Sequence, residues 1–446
     1  MNARTAIGAL MAIASLAARP AGAPGASHDP TTLVYPTFKH DLGLHHVNDF
    51  HLRLFTGNRH RFLEPRAVAA VKLVERDRPD KSGDDDELTV YGINAGEHCI
   101  IYNSSESTLA SYGEEGEGAG RFRSPQGIAA NAAGDVYVAD TGNDRIVHLR
   151  YRAGELHEVK TLAAARGDTI PFRAPRGVAL ASDGTLFVAD TGNDRIVVLD
   201  RSGAHVRSFG AGVLARPEAI AAIDREEKWS YRETDFLIVI DEDGRRVWKL
   251  GPNGETLGSA RGTDVGAPGA VFRGAAIDYY HQVYLTDEAG HRIHKLGPDL
   301  RPIVSFGREG SGEKEFRGPY GIAVWRRFGQ FFVSERTGAH YFWVGVDVLD
   351  MHAEPVVFRP SGTISFTLTE RARVDVSILD EDGRPVRRLA EGRRYATGER
   401  RLGWDGTDDG GRPLPAGRYR VRIEARATYS SAKYFQKAVE FPITVG

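Results

Sequence analysis

The sequence predicts an all-β protein, a closed ring of repeated four-stranded sheets followed by a separate β-sandwich. Three observations carry that prediction. Glycine makes up 51 of 446 residues, about 11% against a usual ~7%, and so many glycines ask for many tight turns. A stretch recurs unchanged at an offset of 50 residues: Val138-Ala-Asp140-Thr-Gly-Asn143-Asp144-Arg145-Ile-Val147 and Val188-Ala-Asp190-Thr-Gly-Asn193-Asp194-Arg195-Ile-Val197. After about residue 350 that pattern stops, and short alternating apolar and polar runs with a different turn vocabulary begin. The length exceeds one ordinary core at roughly 100–200 residues per domain, so a repeat array plus a second domain fits it.

Arg4 precedes an uncharged run over residues 5–18, too short for the roughly 18–20 residues of a membrane span, and Ser15-Leu16-Ala17 supplies a small-x-small cleavage pattern. Residues 1–26 therefore read as a signal peptide and small-residue leader, and the chain is expected to be exported to the periplasm or beyond with no membrane span. Residues 27–61 form an N-terminal segment. Within it His51-Leu-Arg-Leu-Phe55-Thr-Gly57 mimics His205-Val-Arg-Ser-Phe209-Gly210, the last strand of a repeat, and is expected to be the strand that closes the ring.

The repeats occupy 62–345. Upstream of the two identical stretches stand Phe122-Arg-Ser-Pro125-Gln126-Gly127-Ile128 and Phe172-Arg-Ala-Pro175-Arg176-Gly177-Val178, and weaker copies begin at Phe62, Ala215, Phe272 and Phe316. The acidic anchor, or its substitute, falls at 94, 140, 190, 241, 287 and 334, at intervals of 46, 50, 51, 46 and 47. Six units of four short strands result. One such sheet cannot bury both faces alone, whereas six stacked around an axis bury one another, so the sequence predicts a six-bladed β-propeller.

The Pro-x-Gly-Ile-Ala, Val-Tyr-Val-Ala-Asp and Asn-x-Arg-Ile-Val elements resemble the NHL repeat, and that resemblance itself implies a six-bladed propeller. Two units depart from the pattern: Asn94 and Cys99 stand in the first for the Asp and the Arg, and Ser334 and Ala339 in the sixth. Over 355–446, Trp404-Asp405-Gly406-Thr-Asp408-Asp409-Gly410 and Pro415-Ala-Gly417-Arg-Tyr419 resemble the immunoglobulin-like domain of flagellar hook-cap proteins. The resemblance implies an immunoglobulin-like β-sandwich and says nothing about activity.

Asp140-Thr-Gly-Asn143-Asp144 and its twin could offer three oxygen side chains to calcium, but Asp and Asn at a strand end more simply bond following amides and accept φ > 0. Asp140, Asp190, Asp241 and Asp287 are thus expected as blade-turn residues, with Arg145, Arg195, Arg246 and Arg292 paired to nearby acids. Topology places the x of each Pro-x-Gly anchor on one face of the ring. Around that face run Arg66, Gln126, Arg176, Glu218, a gap near Gly274, and Tyr320, with Asn143 and Asn193 beside them. Such a polar rim suits a protein, peptide or glycan, and Arg binds carboxylates bidentately. On the opposite face the charged loops 75–87 and 224–231 protrude, and Trp229 and Tyr231 mark the second as a contact surface.

Lys plus Arg is 58 and Asp plus Glu 60, a net charge of −2 that gives no reason to expect nucleic acid. A single cysteine, Cys99, excludes an intramolecular disulfide and C-x-x-C zinc sites. His45, His46 and His51 could hold zinc, against the simpler reading of a polar leader. No cofactor is expected, calcium and zinc being the alternatives, and no catalytic residue is assigned. Enzymes resembling NHL arrays hold a metal on channel histidines, and no anchor here carries one. The chain is read as an exported binding or scaffold protein with its sandwich as docking or spacer module, the alternative being a lyase or lactonase with a channel metal.

Overall fold

The computed structural model describes residues 33–34, 46–57, 59–76, 88–105, 108–312, 314–432 and 435–446. The expected signal peptide and most of the charged loop 75–87 lie outside the described residues. Among those described, no helix is long and apolar enough to cross a membrane.

Each repeat folds as an antiparallel four-stranded sheet because its apolar runs are short and separated by Gly, Asp and Asn turns. The second strand of each is the most apolar, and Leu186–Asp190, Phe236–Asp241 and Val283–Asp287 are buried at every position. Burial on both faces is what a strand sandwiched between neighbouring sheets requires. Six sheets follow in chain order, their innermost strands being Pro65–Lys72, Gly127–Ala130, Val178–Leu180, Ala219–Ile223, Phe272–Ile277 and Ile322–Trp325. These six strands touch in a closed cycle, the last returning to the first. The contact is backbone on backbone. A Cβ added at Gly127 would collide with the Arg176 carbonyl of the next sheet, and one at Gly321 with the Arg66 carbonyl across the closure.

The ring is fastened by a different segment from the one expected. Residues 51–57 are not a strand: Asp49–Thr56 is a helix, and the outermost place of the sixth sheet is filled by Leu33–Val34 and His46–Asn48, both antiparallel to Gly338–Val344. Local capping overrides the likeness to His205–Phe209. Asn48 accepts the Phe50 amide at 3.0 Å, the His51 ring reaches back to the Asn48 amide, and Gly57 ends the helix at φ 67°. The helix buries Leu52 against Cys99 and Ile101 at the outer edge of the first sheet.

The sandwich pairs a three-stranded sheet (Val348–Glu354, Gly362–Leu368, Gly398–Trp404) with a five-stranded one that includes Ala372–Leu379, Gly417–Ala427 and Gln436–Val445. Phe358, Phe366, Val376, Trp404 and Ile423 fill its core. It begins at Val348, ahead of the expected 355, because Val346 and Val348 already belong to that core. The Trp404 indole donates to the Thr407 carbonyl at 3.0 Å, so the Trp-Asp-Gly stretch is a turn locked by its own tryptophan.

Ring and sandwich are joined by a polar interface on the fifth and sixth sheets, beyond the far ends of Phe272–Ile277 and Ile322–Trp325. Lys295, fully buried, donates to the Thr369 carbonyl at 2.7 Å and to Glu370 at 2.8 Å. The Tyr429 hydroxyl donates to the Arg326 carbonyl at 2.7 Å, and Ser430 bonds Gly329 and Val344. Arg371 lies over the rings of Tyr231 and Tyr280. The aromatic residue Tyr231, expected to mark a contact surface, therefore meets this chain's own sandwich. Burial and the neighbouring Glu370 push the Asp278 carboxyl up to about 7, while Lys295 opposes them.

Two expectations follow. Gly127→Ala should cost about 3 kcal/mol in chemical denaturation, because the clash is with backbone that cannot turn aside. Gly403→Ala, where nothing lies within 4 Å, should stay within about 0.5 kcal/mol. His281 is buried between the Ser230 and Thr234 hydroxyls, and burial together with Arg232, Lys249 and Arg326 lowers its pKa to about 4. A depressed histidine keeps its contribution above the unfolded value near 6.5 and loses it as pH falls toward 4. Between pH 6.5 and 4 the wild type should therefore lose roughly 2–3 kcal/mol more than His281→Gln, measured by urea unfolding at each pH.

Candidate functional site

At the end of every second strand a buried side chain holds the lead-in to its own sheet. Asp140, Asp190, Asp241 and Asp287 accept the amides of Arg123, Arg173, Ala215 and Val271 at 2.7–3.0 Å. Asn94 does the same for Leu63 at 2.8 Å. In the sixth sheet the role falls to Glu335, which accepts the Arg317 amide at 2.6 Å, and not to Ser334. The longer glutamate reaches the same amide from one residue further on, opposite Gly338 and not Ala339.

The cation partners divide. Arg145 and Arg195 bond Asp140 and Asp190 at 2.6 and 2.8 Å, as expected. Arg246 also pairs with an acid of its loop, Glu242 at 3.5 Å and not Asp241, and stacks over Trp248. Arg292 donates to the Gly290 carbonyl, and His294 takes the Asp287 carboxylate at 3.3 Å. Burial raises the Asp241 carboxyl. It opposes ionisation of Asp287 too, yet His294 and the Val271 and Gly290 amides hold that carboxyl below its ordinary value.

The oxygen side chains of the Asp-led loops point apart. Asp140 serves its own sheet, whereas Asp144 accepts the Ala174 amide and Asp194 the Arg216 amide, each of the next sheet, at 2.6 Å. His98 and His291 accept Ser124 and Gly318 from the same place in their repeats. Asn143 and Asn193 are spent inside the turn, each donating to the loop's first Asp at 2.8 Å and to a carbonyl of its own lead-in. The structure does not bring these two asparagines into the channel mouth.

It does bring together Arg66, Gln126, Arg176 and Tyr320, which with Ser124, Thr141, Arg273 and Glu288 line an open cavity of about 420 Å³. Glu218 lies just below, almost fully buried, clamped by Arg176 at 2.5 Å and Arg273 at 2.9 Å. Arg273 also bonds Glu288 at 2.8 Å. Arg66 lies over the Tyr320 ring at 4.5 Å and meets the exposed Glu64 at 2.9 Å. Burial raises the Tyr320 hydroxyl pKa. The Nε atoms of Arg66 and Arg176 are buried and have no hydrogen-bond partner among the described residues. Arg273 fills the supposed gap in the rim: aligned on its glycine, Phe272-Arg273-Gly274 carries Arg273 in the x place, whereas aligning on the phenylalanine hides it.

The family model for the NHL repeat matches residues 122–149 and 172–199, and that for the FlgD Ig-like domain matches residues 359–428. No curated protein matches the chain in sequence. Similar solved structures include a virginiamycin B lyase from Staphylococcus aureus, at 15% identity over 57% of this chain and 76% of the other, with a TM-score of 0.40. A gluconolactonase from Xanthomonas campestris is 12% identical over 73% and 99%, at 0.45. PorZ, a surface component of the type-IX secretion system of Porphyromonas gingivalis, is 13% identical over 80% and 58%, at 0.37.

Asp190 holds Arg173, Asn193 and Arg195 from one buried position, so Asp190→Ala should lower stability by about 3–5 kcal/mol. Calcium added to chelator-treated wild type should leave its melting temperature unchanged, because the loop acids work as turn and sheet fasteners. A calcium-dependent rise that Asp190→Ala abolishes would overturn that assignment.

Proposed function

We propose that this chain, whose ring carries NHL repeats and whose C-terminus is a FlgD Ig-like domain, is an exported binding protein that holds a carboxylate-bearing peptide or glycan at the rim of its ring. One observation carries the reading: Arg66 and Arg176 line the same cavity and each keeps a buried Nε–H without an acceptor. Both side chains are partly exposed, 23% for Arg66 and 29% for Arg176, so a carboxylate in the cavity can reach their guanidinium groups. Glu218 and Glu288 already engage Arg176 and Arg273, so the guanidinium planes are oriented before any partner arrives. Tyr320, with Arg66 stacked on it, offers an aromatic face for a sugar ring or a side chain.

The location of the sandwich supports the same reading. It packs beyond the far ends of the innermost strands of the fifth and sixth sheets, which leaves the rim on the other face. Export rests on the composition of residues 1–26. The lyase or lactonase alternative calls for metal ligands on the channel axis. Among the described residues the His, Cys and acid clusters at ligand spacing are His46–Glu335–His340 and His60–Glu97–Cys99, neither of which lines the rim cavity.

The test is binding of labelled full-length protein to arrays of peptides and acidic glycans. The wild type should retain ligands with a free carboxylate, and Arg66→Ala combined with Arg176→Ala should weaken them at least 10-fold. Arg273 still satisfies Glu218 in that variant, so the melting temperature should fall little. Unchanged retention of every ligand, or no preference for carboxylates, would overturn the proposal.

A further inference from the structure

The outermost strand of each sheet faces the third strand, and one register position repeats around the ring. Opposite Ile101, Val147, Val197, Trp248 and His294 stand Ser111, Thr161, Ser208, Ser259 and Ser305. Five sheets thus carry a hydroxyl there. The sixth carries His46, supplied by the ring-closing strand and set opposite His340. In the fifth sheet the corresponding pair is a hydrogen bond, His294 to Ser305 at 2.7 Å. In the sixth it is two stacked imidazoles, with ring centroids 4.1 Å apart and planes 16° from parallel.

A carboxylate completes the group. Glu335 Oε1 lies 3.3 Å from His340 Nε2 and 3.8 Å from His46 Nε2, and the donor atoms of all three residues fall within 4.8 Å of one another. The Glu335 side chain is fully buried, that of His340 2% exposed and that of His46 27%. Its other oxygen is held by the Arg317 amide, which orients the carboxylate from behind. His46 Nε2 is itself buried and makes no hydrogen bond among the described residues. A serine would have been enough to satisfy a histidine here, as Ser305 does, and the chain instead places a second imidazole.

We propose that His46, His340 and Glu335 form a zinc site that clasps the ring-closing strand to the sixth sheet. Two imidazoles and one carboxylate are a zinc ligand set, with the fourth tetrahedral position left to water. Bonds of about 2.0–2.2 Å to a tetrahedral ion put donors roughly 3.3 Å apart; Glu335 and His340 already stand at that distance, whereas His46 must close from 3.8 Å and the stacked imidazoles must turn for both to face the ion. The ion links residues 46 and 335–340, so it stabilises the closed ring over one whose N-terminal strand has peeled away. The site lies apart from the rim and works whether or not the rim binds a carboxylate. It also differs from the His45, His46 and His51 grouping that the sequence offered. His45 is outside the described residues, and His51 is engaged with Asn48.

Full-length protein stripped with chelator and titrated with Zn²⁺ tests the proposal, read by calorimetry, by thermal melting and by the visible spectrum of the Co²⁺ form. The wild type should take up a zinc ion with a rise in melting temperature, and its Co²⁺ form should show intense four-coordinate bands. His46→Ser gives the sixth sheet the side chain its neighbours use, so it should melt like the wild type in chelator. Its zinc affinity should fall by more than the roughly 10–100-fold that a change outside the ligand shell costs. Glu335→Gln keeps the acceptor for Arg317 and should behave likewise. Cys99→Ala, in the neighbouring His60–Glu97–Cys99 cluster, should leave that binding intact. No zinc-dependent melting in the wild type, or wild-type affinity in His46→Ser and Glu335→Gln, overturns the proposal, as does loss confined to Cys99→Ala.

Discussion

The close approach of neighbouring innermost strands is the constraint on which the rest depends. At Gly127, Gly177, Gly274 and Gly321 the backbone of the next sheet occupies the space a Cβ would need. Six sheets can converge on one axis only if their inner edges come this near, and glycine is the residue that permits it. The same approach aims the residue just before each glycine over the channel. Arg176, Arg273 and Tyr320 meet there because their glycines lie flush against the next sheet, and Arg66 joins them with Ala67 in the glycine's place.

A second economy lies in the loops. One buried side chain per repeat, an acid in five and Asn94 in the first, holds the lead-in of its own sheet, and a residue with φ near 50° four positions later in the second and third repeats holds the lead-in of the next. Asp and His both serve at the second place, since what the site needs is an acceptor for a backbone amide: Asp144 and Asp194 in two repeats, His98 and His291 in two others. Either side chain offers an acceptor at that reach, so the turns tolerate exchange between Asp and His. Four of the six junctions between neighbouring sheets are thereby tied by a hydrogen bond as well as by apolar packing.

The two ends of the innermost strands differ in what they meet. Their starts carry the charged rim, and beyond the far ends of Phe272–Ile277 and Ile322–Trp325 the sandwich packs on the fifth and sixth sheets through Glu370, Arg371 and Tyr429. A buried ion pair at that interface adds little net stability, but either charge left alone would be costly, so Lys295 and Glu370 must meet when the sandwich is seated. The sandwich is thus seated on the ring through buried contacts.

Composition and repetition made the architecture legible. A perfect internal repeat, its Pro-x-Gly lead-ins and its acidic anchors place the strands, the turns and the glycines at the channel, because strand period and turn chemistry are properties of short segments. The x positions Arg66, Gln126, Arg176, Glu218 and Tyr320 could be read the same way, by counting from the repeat. Tertiary structure decided what counting cannot reach. Residues 51–57 resemble a strand, but Asn48 and Gly57 cap them into a helix, and the closing strands are Leu33–Val34 and His46–Asn48. Glu335 displaced Ser334 and Arg273 filled a gap because side-chain reach, not alignment, sets which atom meets an amide or a carboxylate. His46, His340 and Glu335 are neighbours only because the ring closes, and a contact made by closure between residues nearly three hundred positions apart leaves no trace in any local pattern.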